Sequence, residues 1–259
     1  MKPLFFGPRR ELFGCFHEPT AATENPVGVL LSYPFFGEYV QQHRLYNRIA
    51  ERLAERGVGV LRFDWFGTGD SAGDLDDANV DRWRADLRWV AAWLRRQLGG
   101  SRIAVMGSRM GAVLAHEFAV EDGDVVASAL WDPVRHGLHY LGELAVADAK
   151  GLGGHLAGYP ADPGRTELLG FSMPDGLRDE IAELSLSGEV RPDHDVLVVG
   201  SRERLIAVGD TLGQGQPHVE HFEAEFPDGW LAPEDGIYDV LVPVRPMRAT
   251  VDWLERRLR

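Results

Sequence analysis

The sequence predicts an α/β fold in which helices flank a mostly parallel central sheet. Short apolar runs alternate along the chain with amphipathic segments of helical periodicity. Residues 103–115 also combine an apolar run, a turn with a glycine on each side and a second run of small and apolar residues. Strands that alternate with helices at these spacings are typical of parallel βαβ units, so we expect a sheet that is buried on both faces.

Length and composition limit the possible classes of protein. The chain has 259 residues, of which 44% are hydrophobic, and this is enough to bury one substantial core. The formal net charge of −13 argues against nucleic acid or an anionic membrane as the main partner. Cys15 is the only cysteine, and no run of about 18 apolar residues occurs. We therefore expect a cytoplasmic protein without a membrane partner.

Local patterns predict the individual elements. The near-continuous apolar run 27–33 indicates a strand buried on both faces, whereas Trp83, Leu87 and Val90 recur at helical steps of three and four. The predicted strands are residues 4–6, 12–17, 27–33, 58–63, 125–131, 195–200 and 218–222, the first two as an antiparallel pair, and a short one at the start of 103–115. The predicted helices are residues 43–56, 81–98, 177–186 and 205–212, one that follows residue 109, and a last one that begins at Pro246.

Residues 135–191 depart from the alternation of strands and helices. Six glycines fall between residues 137 and 158, and the segment is too long for a plain connection between two strands. We interpret it as a small cap inserted after the strand that ends at Asp132, over the carboxyl edge of the sheet. The predicted core domain then comprises residues 1–134 and 192–259.

The turn at residues 107–111 has the pattern of a nucleophile elbow. In this motif a strand, a sharp turn and a helix present one side chain at the tip of the turn. The spacing Gly107-x-Arg109-x-Gly111 puts Arg109 at that tip, where an ordinary hydrolase of this design has serine, cysteine or aspartate. The order of the elements fits an α/β-hydrolase sheet.

Four segments carry a resemblance to a known family: residues 32–39, 61–71, 107–112 and 130–134. With them the chain resembles the serine aminopeptidase-like α/β-hydrolases, and within that group it is most similar to the exosortase A system-associated hydrolases. The resemblance covers most of the chain and implies the α/β-hydrolase fold. Members of that branch also tend to carry arginine at the elbow, so the resemblance carries less weight for activity than for fold.

A serine-type hydrolase needs a nucleophile, a histidine and an acid, and the sequence does not supply the usual set. The Arg109 guanidinium stays protonated and cannot attack a carbonyl. Ser108 has the right chemistry one residue too early in the turn. The loop 223–242, where the histidine is expected, contains none, which leaves His136 and His139 at the start of the cap as the histidines best placed near the cleft.

The remaining candidates are acids and anion-binding groups. Asp132 and Glu203 both follow sheet strands and are the candidates for the catalytic acid, Glu203 at the usual place for this fold. Either could instead pair with Arg109, because a buried Arg109 needs a carboxylate partner, and we expect an ion pair with one of them. Phe35 and Phe36 lie where this fold has its oxyanion loop, and the Met110 amide begins the elbow helix. Arg109 is then either a clamp for a carboxylate, phosphate or enolate, or a neutralised residue in a site without chemistry.

Three functional hypotheses follow for a small-molecule ligand with a carbonyl or anionic group. The first is a divergent acyl-transfer, ester-, thioester- or lactone-cleaving enzyme without a serine acyl-enzyme, in which water attacks a polarised carbonyl. The second is a catalytically silent protein that binds an acyl or anionic metabolite. The third is a scaffold for a polysaccharide or natural-product pathway, with a homodimer as one form of it. Only the resemblance suggests this third hypothesis. No cofactor or metal is expected, since the sequence has no dinucleotide fingerprint and no metal-ligand spacing.

Overall fold

The structure is a computed structural model. It describes residues 1–20, 26–100, 102–151, 167–213, 217–226, 230 and 242–259. Parts of the predicted cap and of the loop 223–242 lie outside these residues, namely 152–166, 227–229 and 231–241. Within the described part of the chain, no helix is both long and apolar enough to cross a membrane.

Strands and helices alternate through most of the chain. The strands are β1 (Lys2–Phe6), β2 (Leu12–His17), β3 (Val27–Ser32), β4 (Val58–Phe63), β5 (Ile103–Ser108), β6 (Val125–Trp131), β7 (Glu167–Leu168), β8 (Phe171–Ser172), β9 (Asp195–Gly200) and β10 (Val219–Glu223). The α-helices are α1 (Phe36–Glu55), α2 (Val80–Gln97), α3 (Met110–Glu121), α4 (Gly137–Gly151), α5 (Asp175–Glu183), α6 (Arg202–Leu212) and α7 (Val244–Leu258), with a short 3-10 helix at Leu75–Asp77.

One sheet organises the described residues, with the strand order β1-β2-β4-β3-β5-β6-β9-β10. Six neighbouring strands of this sheet, β4-β3-β5-β6-β9-β10, are parallel, whereas β2 pairs antiparallel with β1 and with β4. The strands β7 and β8 form a separate antiparallel pair. The predictions of a mostly parallel sheet and of an antiparallel pair at the N-terminus are therefore confirmed. The carboxyl ends of β3, β5 and β6 lie side by side at one edge of the sheet.

The two faces of the sheet are covered by different helices. Val29 and Leu31 of β3 pack in a cluster with α1 and α7, while Leu30 between them packs in a cluster with α2 and α3. This alternation follows from the two-residue period of a strand, and it explains why the central strands have apolar runs rather than alternating polarity. The helices α4 and α5 and the short strands β7 and β8 lie in the insertion between β6 and β9.

Five helices begin earlier than the sequence predicted, α2 by one residue and α5 by two, and the other three show why. The first helix begins at Phe36 rather than His43, because its early turns bury the polar residues Glu38 and Gln42 and so lack an apolar stripe. The last helix begins at Val244, two residues before Pro246, which is tolerated in a first turn where the missing N–H has no helical partner. The helix predicted at 205–212 begins at Arg202 after the N-cap Ser201, whose hydroxyl accepts a hydrogen bond from the Arg204 amide at 3.2 Å.

The approach of α3 to the end of β3 leads to a first prediction. A Cβ atom on Gly111 would lie 2.2 Å from the Tyr33 carbonyl oxygen, whereas one on Gly123 would meet nothing within 4 Å. We expect Gly111→Ala to lower the free energy of unfolding in urea by about 1–3 kcal/mol, since backbone must shift to relieve the overlap. Gly123→Ala is the matched control and should leave stability near that of the parent. Equal stability of the two variants would contradict this close packing.

Candidate active site

A strained turn joins β5 to α3. Arg109 is the single residue between the end of β5 at Ser108 and the start of α3 at Met110. Its backbone angles are φ 53° and ψ −125°, a conformation that residues other than glycine seldom adopt. Such a conformation raises the free energy of the folded chain by about 1–3 kcal/mol, so it persists only where the surrounding structure imposes it. Here the Arg109 amide donates to the Trp131 carbonyl at 3.0 Å, and the Arg109 carbonyl accepts from the Ala112 amide at 3.1 Å. These bonds hold the turn in the shape of a nucleophile elbow.

Two more left-handed residues lie beside this turn. Phe36, just after β3, has φ 56°, and Asp132, directly after β6, has φ 44°. Together with Arg109 they follow three neighbouring parallel strands at one edge of the sheet. In open α/β sheets, ligands bind outside the carboxyl ends of the strands. Backbone strain and topology therefore indicate the same place for the site.

The Arg109 side chain is fully buried and surrounded by carboxylates. Its Nε lies 2.7 Å from Glu38 Oε1, its Nη1 lies 3.3 Å from Asp132 Oδ2, and its Nη2 bonds Glu143 Oε2. The Tyr140 hydroxyl donates to the other oxygen of Glu38 at 2.9 Å, and the guanidinium lies 5.5 Å from the centre of the Tyr140 ring. The elbow side chain is thus bound to α1, to the end of β6 and to α4.

A second arginine joins the same acids from α6. Arg204 Nε lies 2.9 Å from Asp132 Oδ1, and its Nη2 lies 3.1 Å from Glu143 Oε1. The expected pair of Arg109 with Asp132 is therefore present. The alternative partner Glu203 does not reach Arg109: its side chain is exposed, because the helix starts at Arg202 and turns Arg204 rather than Glu203 toward the site.

Burial and charge shift the protonation of these groups in different directions. Burial raises the pKa of Glu38 to about 7, although Arg109 and Tyr140 partly oppose this shift. Burial alone would lower the pKa of Arg109, but the charges of Glu38, Asp132 and Glu143 raise it above its usual range. For Glu143, burial is outweighed by Arg109 and Arg204, which lower its pKa. The arginine remains charged, and Glu38 is the carboxyl of this group that titrates near neutral pH.

The other predicted catalytic residues lie apart from the guanidinium. Ser108 is fully buried, and its Oγ lies 3.0 Å from the hydroxyl of Tyr46, which also donates to the Ser32 carbonyl at 2.9 Å. His136 and His139 are exposed on the insertion. His139 Nε2 lies 3.7 Å from Glu143 Oε1, at the solvent side of the ion pairs. Neither histidine has a described contact with Ser108 or Arg109.

The predicted anion-binding residues have buried side chains, and two of them begin helices. The Phe35 ring is buried in the core, where it stacks on Trp83 with ring centres 4.2 Å apart. Any contact of Phe35 with a ligand would therefore involve its main chain. Phe36 begins α1 and Met110 begins α3, so both amides lie at helix N-termini, where the helix dipole favours negative charge.

Comparison with known proteins places this geometry in a known fold. The family model of the serine aminopeptidases, S33, matches residues 35–143. Est1E from Butyrivibrio proteoclasticus, in a structure with ferulic acid bound, is 16% identical, with 95% of each chain covered and a TM-score of 0.63. The chain has the α/β-hydrolase fold. A Pyrococcus furiosus esterase is 18% identical, with 96% of this chain and 86% of that chain covered and a TM-score of 0.60.

A third solved structure shares the α/β-hydrolase fold as well. It is a Xanthomonas campestris α/β serine hydrolase without a lid, at 18% identity, with 100% of this chain and 93% of that chain covered and a TM-score of 0.57. No curated protein matches the sequence. At these identities the likeness concerns the fold. The matched segment 35–143 contains Glu38, Arg109, Asp132 and Glu143, which are the members of the ion-pair group other than Arg204.

Sequence reasoning missed Glu38, Tyr140, Glu143 and Arg204. One signal for Glu38 was present: it lies seven residues before Leu45 and eleven before Ile49, on the buried stripe of the first helix. An acid on such a stripe indicates a buried partner of opposite charge. Glu143 and Arg204 had no comparable signal, since they come from an insertion and from a helix start whose positions depend on tertiary packing.

The buried ion pairs lead to a second prediction. Arg109→Met leaves Glu38 without its cation, and breaking a buried pair from one side costs about 3–5 kcal/mol. We expect a loss of that size in the free energy of unfolding, measured by urea denaturation. The double variant Arg109→Met/Glu38→Leu should recover much of it, because no buried charge is then left unpaired at that position. Arg102→Met, at an exposed arginine, is the control. Full stability of Arg109→Met would show that the ion pairs contribute little.

The raised pKa of Glu38 leads to a third prediction. The folded chain holds this proton up to about pH 7, while the unfolded chain releases it near its ordinary pKa of 4.5. The stability that Glu38 contributes is therefore complete below about pH 4.5 and is lost as the pH rises through about 7. We expect the Tm of the parent to fall relative to that of Glu38→Gln between about pH 5 and pH 8, in thermal unfolding at constant ionic strength.

The control for this measurement is Glu203→Gln, which removes an exposed acid close to the same site. Its Tm should follow that of the parent, since this side chain is exposed to solvent. A constant Tm difference between the parent and Glu38→Gln over the same range would mean that Glu38 does not titrate there, which would contradict the shift.

Proposed function

We propose that this protein is a divergent α/β-hydrolase-fold protein that acts on or binds an acyl, ester, thioester or lactone type of small molecule without forming a serine acyl-enzyme. One observation carries the proposal. The tip of the elbow, where a serine hydrolase has its nucleophile, is Arg109, which is fully buried and bound to three carboxylates. A protonated guanidinium has no lone pair with which to attack a carbonyl.

The neighbouring serine does not supply the missing nucleophile in this proposal. Ser108 is buried and lies against Tyr46, on the α1 side of the sheet. An active serine needs a base within about 2.6–3.2 Å of its hydroxyl. Among the residues that the structure describes, no histidine is that close to Ser108, and residues 223–242 contain none. The described residues thus assemble neither the nucleophile nor the base of the covalent route.

The groups of a hydrolase site that polarise a carbonyl are still available to this protein. The amides at the starts of α1 and α3, at Phe36 and Met110, stand at helix N-termini beside the strained turn. Donors held in this way stabilise negative charge that develops on a carbonyl oxygen, so a bound water could attack without a covalent intermediate. The ferulic acid bound to the similarly folded Est1E supports an acyl or carboxylate ligand as the starting hypothesis.

A second candidate is a catalytically silent homologue that binds an acyl or anionic metabolite or serves as a scaffold. The internal pairing of Arg109 favours it, because three carboxylates offset the guanidinium charge on which an anion clamp would depend. The role in a polysaccharide or natural-product pathway, and a homodimer, are part of this second candidate. The insertion 135–191 serves as a cap over the ligand in both.

Covalent labelling and turnover separate these candidates and form a fourth prediction. We expect a fluorophosphonate probe, read by intact mass, to leave the parent chain unlabelled, with a serine esterase as the positive control. Hydrolysis of aryl esters, thioesters and lactones is measured beside it for the parent, Ser108→Ala and Arg109→Ala. Turnover by the parent that survives in Ser108→Ala supports the enzyme, whereas absent turnover supports the silent homologue. Labelling that Ser108→Ala abolishes would overturn the proposal.

A further inference from the structure

We propose that Glu143 occupies a carboxylate-binding position between Arg109 and Arg204, and that the ligand of this site is a small monocarboxylate that takes the place of the Glu143 side chain. The inference rests on the proposed function, since it takes the elbow as a binding site. It adds the ligand class, a second binding arginine and an autoinhibitory contact from the insertion.

The two guanidiniums hold Glu143 as they would hold a bidentate ligand. One carboxylate oxygen, Oε2, bonds Arg109 Nη2, and the other, Oε1, lies 3.1 Å from Arg204 Nη2. Two arginines that each bond one oxygen match the planar geometry of a carboxylate. A free carboxylate of the same shape can make the same two bonds.

Both arginines have carboxylate partners other than Glu143. Asp132 joins them, with Oδ2 3.3 Å from Arg109 and Oδ1 2.9 Å from Arg204. Glu38 holds Arg109 from the opposite side at 2.7 Å. These acids belong to the core of the fold, at the end of β6 and in α1. The position is therefore preorganised, and a ligand would not have to order the guanidiniums.

Glu143 is the exchangeable member of the group. Its side chain is 26% exposed, against 9% for Asp132 and 0% for Glu38, and Arg204 beside it is 19% exposed. Glu143 also lies on α4, in the insertion, whereas the other two acids lie in the core. Access to Arg109 therefore leads from solvent past Glu143 and Arg204, and a movement of α4 would open it.

The balance of charge favours a monocarboxylate over phosphate. When Glu143 leaves, the guanidiniums of Arg109 and Arg204 remain beside Asp132 and Glu38, and the group has lost one negative charge. A monoanion then restores the charge that the group has with Glu143 in place. A dianion would add a further negative charge beside two buried acids, which repel it.

The test compares carboxylates with neutral molecules of the same shape. Benzoate and butyrate are titrated calorimetrically into the parent, with benzamide, butyramide and inorganic phosphate as the contrasting probes. We expect weak saturable binding of the carboxylates alone, and binding on the order of tenfold tighter by Glu143→Gln, which removes the competing charge. Glu183→Gln, at an exposed acid of α5 in the same insertion, is the matched control and should bind like the parent.

Two further measurements locate the carboxylate and the movement. Adding Arg204→Met to Glu143→Gln should remove the gain in affinity, while binding that survives would place the carboxylate elsewhere. Hydrogen exchange in α4 should increase when benzoate binds to the parent, since α4 loses the contacts of Glu143. Binding to Glu143→Gln alone, with no response of the parent, would mean that a ligand does not displace Glu143 in the parent and would overturn the inference.

The outcomes also separate this inference from the function on which it rests. Carboxylate binding without fluorophosphonate labelling of Ser108 supports both. Labelling of Ser108 would defeat the proposed function whatever the carboxylates do. Absence of both labelling and carboxylate binding would defeat the carboxylate position alone, because the missing serine route would still stand.

Discussion

The charge of Arg109 is the constraint on which the site depends. A guanidinium buried at the tip of the elbow is tolerable only with carboxylates around it, because an unpaired buried charge costs several kcal/mol. Glu38, Asp132 and Glu143 supply them from three separate parts of the chain, and Tyr140 completes the hydrogen bonding of Glu38. The elbow therefore determines where α1, the end of β6 and α4 must meet.

This constraint connects the insertion to the core. The acid on α4 reaches both Arg109 and Arg204, and the phenol on the same helix reaches Glu38. A guanidinium cannot attack a carbonyl, and in our proposal Arg109 instead pairs with Arg204 around a carboxylate. Whether α4 keeps that position filled or yields it to a ligand is then a question of competition between two carboxylates.

Most of the fold could be predicted from the sequence, and the partners of the site could not. The strands have apolar runs because both faces of the sheet are covered, so a local pattern reports a global arrangement. The first helix shows the limit of such patterns. Its early turns bury Glu38 and Gln42, and polar residues in a buried stripe conceal the helical period on which the prediction depended.

The sequence by itself determined the parallel sheet, the turn at residues 107–111 and the arginine at its tip. These features follow from periodicity, glycine spacing and the identity of one residue. Tertiary structure alone decided which acids neutralise Arg109. Asp132 and Glu203 were equal candidates along the chain, yet the start of α6 turns Glu203 to solvent and Arg204 inward. Carboxylates have the same chemistry wherever they occur, so only their position in space selects the partners of a buried charge.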